Sequence, residues 1–113
     1  MKDRIAKVNE LMKRELGQII LREVEMPENA VATLTRVVAS GNLQQAKVYI
    51  SVVPDEKAQE VLKVLGRDIF TIQQILNRKL KMRPVPKILW VPEKATAEAQ
   101  RIEELLAQIK EKG

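Results

Sequence analysis

The chain contains neither cysteine nor histidine. The first absence excludes disulfides and thiolate chemistry. The second removes the usual zinc ligand and the usual acid–base residue of neutral pH. Aromatic residues are nearly missing as well, with one tryptophan, one tyrosine and one phenylalanine. Stacking platforms for bases are therefore scarce. No apolar run approaches the length of a membrane span, and the N-terminal segment is charged and amphipathic rather than signal-like. The expectation is a cytoplasmic protein with no metal, no cofactor, no small-molecule substrate and no membrane partner.

What is present fits one small folded domain. The chain has 113 residues, of which 45% are hydrophobic, enough for a single core and too apolar for a disordered basic tail. A single domain over residues 1–113 is expected. The net charge is +5 and it is unevenly spread. Residues 67–87 carry Arg67, Arg78, Lys79, Lys81, Arg83 and Lys87 against Asp68 alone, so 21 residues account for the whole excess. A second basic stretch, residues 1–22, holds Arg4, Lys7 and Arg14 among six cations and three acids. A surface shaped only for solubility mixes its signs, so this asymmetry favours an anionic polymer as partner.

Periodicity supplies the elements. Ile5, Val8, Met12, Leu16, Ile19 and Ile20 recur at three- and four-residue steps, predicting an amphipathic helix over 3–22 with Asp3 at its start. Val31 to Ser40 is rich in β-branched residues, and Ala46, Val48, Ile50 and Val52 alternate. With Gly41-Asn42 between them, these runs predict an antiparallel hairpin with a tight turn. Asp55 is placed to cap a helix carrying Ala58, Val61, Leu62 and Leu65, with Gly66 as its interruption. Ile69, Ile72, Ile75, Leu76 and Leu80 restart the helical pattern. Pro84 and Pro86 then stop it, and Ile88–Val91 reads as a short strand. Thr96 can cap a last helix, about 96–112, with a seam of Ile102, Leu105, Leu106 and Ile109.

The order helix–strand–strand–helix–kink–helix–strand, with a C-terminal helix, is best satisfied by an α+β sandwich: a three-stranded sheet with helices on one face. That arrangement looks like the type II KH fold, an RNA-binding architecture. The usual GXXG loop that clamps a nucleic-acid backbone is absent, because no two of the four glycines share that spacing. Leu65-Gly66-Arg67-Asp68-Ile69-Phe70 stands in its place and predicts a kink between two helices.

Several strings resemble the ribosome-binding factor A family, whose KH-like domain has a helical kink instead of the GXXG loop. They are the apolar helix from Arg4 to Ile20, the turn Thr35-Arg36-Val37-Val38-Ala39-Ser40-Gly41-Asn42-Leu43 and the strand Ala46-Lys47-Val48-Tyr49-Ile50-Ser51-Val52. The last is Leu80-Lys81-Met82-Arg83-Pro84-Val85-Pro86-Lys87-Ile88-Leu89-Trp90. Together they cover almost the whole chain. The chain departs from the family pattern with Asn42 for an aspartate, Asp68-Ile69-Phe70 for a small Ala-x-Gly kink, and Trp90 for a phenylalanine. The resemblance implies a non-catalytic assembly factor that binds the small (30S) ribosomal subunit and its 16S rRNA during late maturation and rRNA processing, most needed in the cold. A monomer is expected.

Under that reading, Arg78, Lys79, Lys81, Arg83 and Lys87 are the expected phosphate contacts, with Arg67 at the kink and Arg4 and Lys7 on the first helix as further candidates. Recognition then rests on phosphate and shape rather than on base edges. The plain alternative for each cation is a solvated helix end or face. Two other functions compete. A small protein-interaction module would use the seam of the C-terminal helix. An enzyme would need carboxylates or a lysine, and Glu23, Glu25 and Glu28 offer only what reads as an exposed loop.

Overall fold

The computed structural model describes residues 2–94. The helix expected over 96–112, and with it the interaction-module reading, lies outside the described residues. The first helix, α1 (Lys2–Glu23), carries Asp3 in its first turn and Arg22 in its last, each favourable to the helix dipole. Its stripe of Val8, Met12, Leu16 and Ile19 is buried. Each such side chain contributes about 1.5–3 kcal/mol relative to exposure.

Two antiparallel strands follow, β1 (Val31–Ala39) and β2 (Gln45–Val53). A bulge at Thr35 separates the Leu34↔Ile50 pair from Arg36↔Tyr49. Its effect is visible in the burial of β1: Ala32 and Leu34 face inward before it, Val37 and Ala39 after it. One inserted residue moves the inward face from even to odd numbers.

The tight turn falls at Gly41-Asn42, as expected. Ser40 donates its N–H to the Gln45 carbonyl at 2.8 Å, leaving four residues in the loop, and the Leu43 N–H closes a turn onto the Ser40 carbonyl at 2.9 Å. Gly41 and Asn42 do form its centre, yet the left-handed residue is Leu43, with φ 58°. A non-glycine there costs roughly 1–2 kcal/mol, and Leu43 offsets it by packing against the core. Asn42 organises the loop, its Oδ1 accepting from the Ser40 hydroxyl at 2.6 Å and the Gln44 N–H at 3.1 Å.

After β2, Asp55–Lys57 form a single 3₁₀ turn before α2 (Ala58–Arg67). Asp55 therefore does not cap the helix, and no side chain does. The predicted kink is real and falls at Asp68, between α2 and α3 (Ile69–Lys79). Asp68 has φ −95° and ψ 6°, the sparsely populated bridge region. Gly66 is not the interruption: it lies inside α2, and no glycine has a positive φ among the described residues. The break redirects the chain, since α2 packs on β2 and β3 whereas α3 crosses to α1.

Strand β3 (Lys87–Pro92) pairs parallel to β2, giving a mixed sheet in the order β1-β2-β3. Ala46, Val48, Ile50, Val52 and Ile88 meet the buried stripes of the helices, completing a KH-like α+β core on one face. Trp90 belongs to that side and packs against the core. Its indole N–H donates to the Leu65 carbonyl at 3.0 Å, one turn before the break. Trp90→Phe keeps an apolar ring and removes that donor. The expected cost is about 1–2 kcal/mol, seen as a lower urea midpoint with an unchanged slope.

Candidate nucleic-acid interface

Leu76 and Leu80, both buried, anchor the end of α3 against the core it shares with α1. The chain then turns through residues 80–86 before β3. Two side chains shape this segment. Arg83 Nη1 donates to the Leu80 and Met82 carbonyls, both at 2.7 Å. Gln73, on α3, donates from Nε2 to the Pro86 carbonyl at 3.2 Å and accepts the Ile88 N–H on Oε1 at 2.9 Å. With Val85 and Pro86 also buried, the basic loop is held in place.

The N-terminal half of α1 lies beside this segment. Between them runs a groove of about 720 Å³. Its walls carry Arg4, Lys7 and Arg14 from α1 with Lys79 and Lys81 from the other side, against Asp3 and Glu15. Val8, Leu11, Leu80 and Met82 form an apolar floor. Arg4, Lys7, Lys79 and Lys81 are exposed, and none has an ion-pair partner among the described residues. Unpaired cations on two facing walls produce a concentrated positive field. Phosphate oxygens could bridge those walls, while the floor accepts a sugar or base face.

The remaining candidates are dispersed. Arg78 is exposed on α3 and its Nε reaches back to the Gln74 carbonyl at 3.4 Å. Arg83 spends donors on the loop backbone, so its first role is to shape the turn. Lys87 opens β3 and sits beside the hairpin loop, its N–H donating to the Gln44 carbonyl at 2.9 Å. Arg67 stands apart. Its Nε lies 3.2 Å from Asp68 Oδ1. That carboxylate, by hydrogen bond and by charge, raises the guanidinium pKa, and Glu25 adds a smaller push in the same direction. A cation already matched by carboxylates is the weakest of the set.

The apolar floor was the part hardest to see in the sequence, where Arg14, like Arg4 and Lys7, read more readily as a solvated face. A signal exists: Arg4, Lys7, Leu11 and Arg14 fall at steps of three, four and three residues, one stripe of a helix beside the buried one. Glu23, Glu25 and Glu28 are exposed, and among the described residues no cluster of acidic side chains could hold a metal ion.

The profile of the ribosome-binding factor A family matches residues 4–106. The chain belongs to that family. Solved structures agree on the fold. A crystal structure of ribosome-binding factor A from Thermus thermophilus is 22% identical, with a TM-score of 0.66, covering 78% of this chain and 93% of the other. The solution structure of a Thermotoga maritima protein is 22% identical, with a TM-score of 0.60, covering 85% and 89%. A homology model of the Thermus thermophilus factor fitted into a cryo-EM map of a 30S complex is 25% identical, with a TM-score of 0.62, covering 74% and 88%. Phe70, just past the Asp68 break, is 72% exposed.

Proposed function

We propose that the chain is a non-catalytic assembly factor that binds the small ribosomal subunit through 16S rRNA during late maturation and rRNA processing. The groove between α1 and the 79–82 segment carries this reading, because it gathers unpaired cations from two distant parts of the sequence around an apolar floor. Family membership agrees with it, as does the 30S complex to which the Thermus thermophilus factor was fitted. The phosphate contacts are assigned to Arg4, Lys7, Lys79 and Lys81, with Lys87 and Arg78 flanking them and Arg83 holding the loop. Non-catalysis is consistent with the chain's lack of histidine and cysteine. Among the described residues no helix is long and apolar enough to cross a membrane.

Sedimentation tests the proposal. The tagged protein should travel with free small subunits and be depleted from whole ribosomes and polysomes. Raising salt from 50 to 200 mM should release it, since several neutralised phosphates lower affinity by orders of magnitude over that range. Equal distribution across all fractions, insensitive to salt, would overturn the assignment.

A further inference from the structure

The free edge of β1 faces a second groove, which shares Lys7, Leu11 and Arg14 with the one already described and opens on the other side of that stripe of α1. Among the described residues, strand order leaves β1 with one unpaired side. The Ala39 N–H turns away from β2 to Asn9 Oδ1 at 2.8 Å, while the Ser40 N–H goes to Gln45. Alternation back along the strand, with Thr35 and Arg36 both opposite Tyr49 at the bulge, points the backbone groups of Ala32, Leu34 and Val37 outward as well. Among the described residues, only Ala39 of these finds a partner. An open strand edge of this kind is a template for another strand.

Ala32, Thr33 and Leu34 line a groove of about 740 Å³ whose far wall is α1. Lys7, Lys13 and Arg14 stand on that wall with Glu10, and Arg14 Nε also lies 3.9 Å from Glu15 Oε1. The wall dips at Gly17, where a side chain would meet nothing within 4 Å. We propose that this groove takes an extended acidic peptide, which adds a strand to β1 at Ala32–Leu34 and sets its carboxylates against Lys7, Lys13 and Arg14. The chemistry favours peptide over RNA. The edge presents carbonyls as often as amides, and carbonyl oxygens repel phosphate. A peptide backbone supplies the matching donors and acceptors at the strand repeat of roughly 6.6–6.8 Å per two residues.

Two substitutions isolate this groove from the RNA-facing one. Lys13 lines only the β1 groove. Ala32→Pro deletes one outward N–H without touching the ladder to β2, a position where proline is tolerated on an edge strand. The probe is a fluorescein-labelled hexapeptide of alternating valine and glutamate, compared by anisotropy with its valine–lysine counterpart and with a uridylate decamer. The acidic peptide should bind at least about tenfold more tightly than the basic one, and Ala32→Pro or Lys13→Glu should each weaken it by about three- to tenfold. In amide NMR spectra of the unmodified protein the shifts should centre on Ala32–Leu34 and the facing turn of α1. Neither substitution should change small-subunit sedimentation. Equal binding of the two peptides, or shifts elsewhere, overturns the proposal even if Ala32→Pro fails to fold. Displacement of the Ala32–Leu34 signals by the uridylate, with its affinity lost in Lys13→Glu, assigns the groove to RNA and overturns it too.

Discussion

Changing Arg4, Lys7, Lys79 and Lys81 together to glutamine should weaken binding to free small subunits by roughly a hundredfold or more near physiological salt. The logarithmic salt slope should flatten by about three units. Both figures follow from counterion release: each neutralised phosphate contributes about −0.7 to −0.9 to the slope. The same change at Lys47, Lys63 and Arg67, which do not line the groove, should leave the slope within about half a unit. All these side chains are exposed, and surface substitutions away from caps and core typically cost within about 0.5 kcal/mol each. The two variants should therefore melt close to the unmodified protein. If both sets lower the slope equally, the groove holds no privileged contacts and the protein binds through diffuse charge.

The largest stability effect is expected at Leu65. This side chain is fully buried on α2, one turn before the Asp68 break. Leu65→Ala removes three carbons from the site where α2 meets the sheet and leaves a cavity, at a cost of about 2–5 kcal/mol. For a domain near this size that lowers the melting temperature by more than about 10 °C. Phe70→Ala, only five residues away but 72% exposed, should change it by less than about 0.5 kcal/mol. Scanning calorimetry on both separates them. Comparable losses would mean that Phe70 is buried in the native state.

The core was legible from the chain because it is built on local repeats. The step of Val8, Met12, Leu16 and Ile19 sets the buried face of α1, and the alternation of Ala46, Val48, Ile50 and Val52 sets that of β2. The kink was visible as a region and not as a residue. Gly66 is the natural suspect in a sequence, whereas Asp68 takes the unusual backbone angles, in a segment where Trp90 binds the Leu65 carbonyl from 25 residues away. The hairpin turn was likewise visible as a region and not residue by residue. Gly41-Asn42 marked the tight turn, whereas the left-handed residue beside them is Leu43, whose side chain reaches the core. The basic site was half visible. Lys79 and Lys81 stood out by density in the chain, whereas Arg4, Lys7 and Arg14 acquire meaning only when α1 is laid beside them.

The two walls of the basic groove come from residues 3–15 and 79–82, nearly seventy positions apart. An unfolded chain does not possess it. Occupancy of the groove is therefore coupled to folding by mass action. A ligand present at a hundred times its dissociation constant adds about 2.7 kcal/mol to the native state. Under the proposed function, the same protein should thus be more susceptible to proteases after release from the small subunit than while docked, and its lifetime in the cell should track the supply of immature particles.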